Sequence, residues 1–291
     1  MRLNNIFRQI PSWIKLILKL IILVIIVFLI LRNLDERAWM ETLSQIHPVW
    51  IVWGLIWFTF SKLLSAIRYH FFLQNEGVQI SSGDNLKLYW LGMYYNLLLP
   101  GGISGDAYKV KKLQEVSGAH LRQLIVITIA DRISGLLALG ILGVLLMVFI
   151  PGLYPFILWV MPAVPFMIYI SWIAFKRWMG KNTALWLKSH VLSFGVQAFQ
   201  CIAVIGFVYA LGEIPHWIDY TILFLLSSLV AMVPFTIGGA GARELTFFFG
   251  AQWMQVEIEK AVAVAFLFYV VSTLVSLTGM AFGFSKKKLF T

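Results

Sequence analysis

The polar and apolar positions of this chain fall in long blocks, not at the short periods of amphipathic helices or strands. Apolar runs of roughly 20 residues recur from end to end, the length a helix needs to cross the hydrocarbon core of a bilayer. Leu20 to Leu31 is uninterrupted apolar and follows Arg2, Arg8, Lys15 and Lys19. No small-residue cleavage site follows it, so it reads as a retained first span rather than a signal peptide. Val49 to Leu73, Ile125 to Ile150, Phe156 to Phe175, Val191 to Leu211 and Ala261 to Phe284 supply five more spans. Two runs are shorter. Leu86 to Leu99 is about 14 residues, roughly 21 Å of helix, too short for the roughly 30 Å core. Tyr220 to Val233 is its counterpart.

Each short run ends in a glycine turn followed by charge. The first tip is Pro100-Gly101-Gly102-Ile103-Ser104-Gly105-Asp106, and the second is Gly238-Gly239-Ala240-Gly241-Ala242-Arg243-Glu244 behind Pro234. After the turns, Asp106 to Val116 and Glu244 to Gln255 lead back, which predicts two broken membrane hairpins. For the second, a full crossing by Tyr220 to Val233 is compatible with the charges only if Glu244 to Gln255 crosses too. As a hairpin it needs no such assumption.

Charge then orients the spans. Lys176, Arg177, Lys181 and Lys188, with Lys286, Lys287 and Lys288 near the carboxyl terminus, form the inside-positive flanks. Asp35, Glu36 and Glu41 fall on the opposite side, as do Glu213 and Asp219. Both termini are expected in the cytoplasm. The resulting expectation is an all-α polytopic integral membrane protein, a single domain of about six spanning helices plus two re-entrant broken hairpins. These form an inverted repeat, roughly 16–150 and 156–284, of the kind from which secondary transporters build midplane sites.

Composition agrees: 60% of residues are hydrophobic, 12% are charged, and the mean hydropathy is +0.85. Such a chain is no soluble globule, and its net charge of +10 lies at the ends of apolar runs, so nucleic acid is not the expected partner. Cys201 is the lone cysteine, which excludes an intrachain disulfide, and the five histidines have no metal-ligand spacing. No cofactor is expected.

Candidate chemistry gathers at the tips. Asp106, Arg243 and Glu244 need a partner or a wet cavity, because an unpaired charge is costly in hydrocarbon. Half-helices starting at Gly101, Gly102 and Gly105, and at Gly238, Gly239 and Gly241, would aim free amides at a phosphate. The same glycines would also serve close helix packing. Lys109 and Lys112 share a face of the returning half-helix and suit a lipid phosphate or a plain basic flank. Asp131 and Arg132 read as part of an internal charge network, with a snorkelling Arg132 as the alternative, and Asn96 with Tyr94 and Tyr95 as candidate site lining, the tyrosines also suiting interfacial anchors. Lys62 and Arg68 read as snorkelling side chains. The first glycine turn has neither a Gly-Lys-Ser/Thr ending nor a preceding strand, which excludes a nucleotide loop.

At Pro100 to Asp106, Asp131-Arg132 and Gly238 to Glu244 the chain resembles the lysylphosphatidylglycerol synthase transmembrane family, also called the flippase-like domain family. The resemblance covers nearly the whole chain. It implies an inner-membrane domain of bacteria, similar to the membrane half of the multiple peptide resistance factor, which moves an aminoacylated phospholipid. By matching position it implies site residues at Gly101, Gly102, Gly105 and Asp106, at Asp131 and Arg132, and at Gly239, Gly241, Arg243 and Glu244. Ser104 stands where many relatives have glycine, and Lys109 where many have arginine. Lysine is a point charge without arginine's bidentate fork.

Full-length synthases add a soluble aminoacyl-transferase domain. This sequence ends at Thr291, just past its last apolar run, so aminoacyl transfer by the chain itself is not expected. The expected function is a lipid translocator in the bacterial cytoplasmic membrane, handling an anionic or aminoacylated phospholipid or a polyprenyl-linked glycolipid. The alternatives are a membrane subunit of a phospholipid- or glycolipid-modifying enzyme, and a scaffold for a separate soluble synthase or glycosyltransferase.

Overall fold

The computed structural model describes residues 34–98, 104–150, 154–180, 183–232 and 241–283, with Phe28, Arg32 and Gly152. Among them the regular elements are helices and there are no strands, as an all-α polytopic membrane protein requires. Apart from Phe28, the run Leu20 to Leu31 lies outside the described residues.

Helix α1 (Glu36–Ser44) starts where the Asp35 carboxylate accepts the N–H groups of Arg37 and Ala38, at 2.8 and 3.1 Å. This satisfies two amides that a helix start leaves without carbonyl partners. A tight connection leads into α2 (Pro48–Asn75), with Pro48 at a first-turn position where a missing N–H costs nothing. Then follow α3 (Ser82–Leu98), α4 (Ser104–Ser117) and α5 (Leu121–Met147).

The expected span Phe156 to Phe175 is split into α6 (Tyr154–Val160) and α7 (Ala163–Trp178). Pro162 and Pro165 lie at the break and next to it, and neither can donate to the preceding turn. This span stands at the periphery, with Leu158, Trp159 and Phe166 among its exposed side chains.

The chain continues through α8 (Thr183–Ala210), a short 3-10 turn at Ile214–His216, and α9 (Trp217–Ala231). It closes with α10 (Ala242–Met254), α11 (Ile258–Leu277) and the single turn α12 (Met280–Gly283). The run expected to begin at Tyr220 starts earlier. With its 3-10 lead it forms an 18-residue stretch, Ile214–Ala231, long and apolar enough to cross a membrane by length and composition. Length therefore does not mark it as a half-span; its packing marks it as a hairpin arm.

Both short pairs are antiparallel hairpins. Gly105 of α4 lies against Gly92 of α3, and the Tyr95 and Tyr108 rings pack at a tilt with centroids 4.3 Å apart. In the second pair, Arg243 near the start of α10 reaches Ser227 and Ser228 near the end of α9, while Gly250 further along lies under Leu223. A long helix, two shorter antiparallel helices and a long helix thus occur twice, as α2 to α5 and as α8 to α11.

The scaffold for both is the antiparallel pair α2 and α8. Gly54 accepts the Phe207 ring and Gly206 the Trp53 indole, whose Nε1–H donates to the Ile202 carbonyl at 3.0 Å. Further along, Leu64 fills the space over Gly195. Lipid offers helices no hydrophobic drive to associate, so van der Waals contact at such small-residue grooves carries the pairing. One buried apolar cluster joins α2, α8, α9, α10 and α11 around Phe58, Phe207, Phe224, Phe247 and Phe268. A second joins α2, α3, α4 and α5 around Tyr69, Phe72, Leu88, Leu113 and Ile127.

Candidate functional site: a charged cavity beside the first hairpin

Local chemistry closes the first hairpin. The Asn96 side-chain oxygen accepts the Gly105 N–H at 2.8 Å, and the Ser104 hydroxyl donates to the Tyr95 carbonyl at 3.2 Å. Gly92 has no Cβ, so the Lys109 stem crosses α3 where a Cβ would lie 3.0 Å from it. Asp106 sits in the first turn of α4, where free amides and the helix dipole favour a negative charge.

The Asp106 carboxylate is held from two sides. Lys109 Nζ lies 2.8 Å from one oxygen, and Arg132 Nε on α5 contacts the other. The lysine ammonium also stands over the Tyr69 and Tyr89 rings, 4.5 and 4.8 Å from their centroids. One residue back, Asp131 pairs with Arg68 Nε at 2.7 Å, and Arg68 Nη1 donates to the Ser193 hydroxyl on α8 at 2.7 Å. Neighbours in sequence thus bind different elements, and α5 becomes the post that ties the first hairpin to α2 and α8. Arg68, Asp106, Lys109 and Asp131 are all buried. At that depth each charge needs its partner, since breaking a buried pair costs about 3–5 kcal/mol.

These groups border a cavity of about 240 Å³, lined by Asn96, Asp106, Lys109, Asp131 and Arg132, by Lys62 and Arg68 of α2, and by Tyr89, Gly92 and Met93 of α3. A space of this size with charged walls admits a small polar group while its walls stay anchored in apolar helices.

At the second hairpin, Gly241 has φ of +82°, a left-handed conformation that favours glycine. Its N–H donates to the Glu244 carboxylate at 2.7 Å. Arg243 donates from Nη1 to Ser228 and Ser227 at 3.0 and 3.3 Å, and its guanidinium lies over Phe268 and Phe224, 4.7 and 5.7 Å from their centroids.

Among the residues singled out from sequence, Asn96, Gly105, Asp106, Lys109, Asp131 and Arg132 meet around the cavity and its hairpin. Lys112 does not: its ammonium pairs with Glu115 at 3.0 Å on the more exposed side of α4. Gly241, Arg243 and Glu244 stand at the second hairpin outside the cavity lining, and Asp106 pairs with Lys109 and Arg132 rather than with Arg243. Gly101, Gly102, Gly238 and Gly239 lie outside the described residues.

The snorkelling expectation fails for Arg68, which turns inward to Asp131 and is only 5% exposed. Lys62 turns to the cavity rather than serving only as a flank. A signal for this was present: Ser61, Ser65 and Arg68 recur at helical spacing on an otherwise apolar helix, and all three are buried. Ser189, Ser193 and Gln197 make the facing stripe on α8.

A family model described as the lysylphosphatidylglycerol synthase TM region matches residues 16–279. The chain belongs to that family. The match spans both hairpins and the α2, α5, α8 and α11 framework, and bears out the resemblance carried by the glycine tips and the Asp131-Arg132 pair. No curated protein matches the chain. For this member of the lysylphosphatidylglycerol synthase TM region family, fold and family point to a multi-pass membrane protein related to lipid modification or translocation.

Proposed function

We propose that the protein is a lipid translocator, and that the headgroup enters the cavity beside the first hairpin while its acyl or prenyl tails stay in the bilayer. The observation that carries this reading is a charged cavity of about 240 Å³ among helices apolar enough to span a membrane. The twofold recurrence of long, short, short, long helices, with α2 and α8 crossing antiparallel, supports an inverted repeat. Repeats of this kind alternate access by rocking one half against the other. On this reading the hairpins are re-entrant, both termini are cytoplasmic and the membrane is the bacterial inner membrane. The chain moves lipid without chemical conversion.

The test is headgroup quenching in proteoliposomes that carry fluorescent phosphatidylglycerol, an aminoacylated phospholipid or a polyprenyl-linked glycolipid. Protein-dependent access of inner-leaflet headgroups to an impermeant quencher is expected for at least one of them. Rates equal to empty liposomes across the panel would refute translocation. The family's description as a synthase region favours a second reading, a membrane subunit of a phospholipid- or glycolipid-modifying enzyme or its scaffold. Lipid modification that appears only when a soluble synthase or glycosyltransferase is added would support that reading.

A further inference from the structure

The carboxylates and cations of the two hairpins do not balance. Asp106 and Asp131 are fully taken up by Lys109, Arg132 and Arg68, and the Glu244 carboxylate is turned to the Gly241 N–H. Lys62 on α2, at the cavity, and Arg243 on α10, at the second tip, form no ion pair with a carboxylate among the described residues. Arg243 hydrogen-bonds two serine hydroxyls and senses the neighbouring Glu244 carboxylate without pairing with it, and Lys62 has a ring face, with its ammonium 4.6 Å from the Phe58 centroid.

The rings beneath them are continuous. Phe58 meets Phe268 edge to face with centroids 5.4 Å apart, Phe268 packs on Phe224 at 4.7 Å, and Arg243 lies over both of the latter. Lys62 and Arg243, from opposite halves of the chain, therefore stand over one chain of contacting rings. A ring face offers a cation partial compensation, well short of an anion. Holding like charges together in a poorly hydrated place is costly unless an anion joins them.

Resting on the translocator reading, we infer that Lys62 and Arg243 form a phosphate-binding subsite, and that the lipid headgroup is one whose phosphate carries uncompensated negative charge. A zwitterionic headgroup would bring a cation into a region already in positive excess. The arginine fork takes two phosphate oxygens and the lysine a third as a point charge. Because the two cations come from α2 and α10, the bound phosphate would bridge the halves.

Titration calorimetry on the full chain in detergent tests this with dihexanoyl phosphatidylglycerol, dihexanoyl phosphatidylcholine and inorganic phosphate. The phosphatidylglycerol is expected to bind at least about tenfold more tightly than phosphatidylcholine, and Lys62→Gln or Arg243→Gln to remove about tenfold each, as for a lost charged hydrogen bond. Lys62→Arg should restore binding, which a folding defect would not allow, and Lys112→Gln should leave it unchanged. Phosphatidylglycerol binding that both Gln variants retain would overturn the subsite and leave the translocator reading standing. Equal affinity for the two lipids would overturn the charge preference whatever the quenching assay gives. Inorganic phosphate binding as tightly as the lipid would make the ligand a free ion and overturn the lipid assignment.

Discussion

A Cβ on Gly105 would overlap the carbonyl oxygen of Gly92, so the two arms of the first hairpin touch backbone to backbone. The contact brings the Asn96 amide within reach of the Gly105 N–H and lays Lys109 across α3. Gly105→Ala is expected to force the arms apart at a cost of about 1–3 kcal/mol, the range for overpacking. Gly143→Ala, where an added Cβ meets nothing within 4 Å, should change stability by less than about 0.5 kcal/mol. Thermal unfolding in detergent, followed by tryptophan fluorescence, checks both; equal midpoints for the two variants would show that the hairpin tolerates separation.

Asp131→Asn leaves the buried Arg68 guanidinium only neutral acceptors, the Asn amide oxygen and the Ser193 hydroxyl, and should destabilise the protein by about 3–5 kcal/mol. Removing both charges as Arg68→Met with Asp131→Leu should recover much of the loss, because two apolar side chains need no partner in a buried site. A double-mutant cycle measures this. Strictly additive losses would mean that the two side chains do not depend on each other.

Asp106 offsets the charge of Lys109 and Arg132 together, so Asp106→Asn should leave both cations without the carboxylate's negative charge. We expect headgroup movement in proteoliposomes to fall at least about tenfold, as for loss of a charged hydrogen bond, while Asp106→Glu recovers part of it. Lys112→Gln, on the outer side of α4, should move lipid normally. Monodisperse elution of each variant separates lost transport from lost fold. Wild-type rates in Asp106→Asn would place the site elsewhere.

Antiparallel arms that re-enter the membrane return the chain to the side it left. In a Cys201→Ser background, cysteines at Lys87 and Lys112 should therefore react with an impermeant reagent from the same side, and cysteines at Asp219 and Glu257 should share the other. Asn4 and Lys287 cysteines should be protected in intact cells. Opposite-side labelling within either pair would show that the hairpin crosses.

Much of this architecture was legible from the chain. Apolar block length alone marks α2, α5, α8 and α11, because hydrocarbon leaves the backbone no alternative to the helix. The glycine tips and the Asp131-Arg132 pair identified the family, since such residues are rare within apolar runs. Block length misled at Tyr220, where the link carrying Glu213 and Asp219 bounds the apolar run but the chain passes through a 3-10 turn and starts α9 at Trp217.

The pairing of charges was not legible, because partners far apart in sequence meet only when the helices pack. Sequence proximity suggests that Asp131 pairs with Arg132, yet successive residues on a helix point about 100° apart, so Asp131 faces Arg68 and Arg132 faces Asp106. Arg68 and Lys62 read as flanking bases from their distance to the end of an apolar run, although the helical spacing of Ser61, Ser65 and Arg68 pointed inward. Once Gly54, Gly195 and Gly206 let α2 and α8 close together, Arg68 is carried to Ser193 and away from the headgroups. Composition and run length determined that this chain lives in a bilayer as helices, since the solvent acts on every residue alike. Which cations stand next to which carboxylates was decided by the tertiary structure, since side-chain electrostatics depend on distances of a few ångströms that helix packing alone sets.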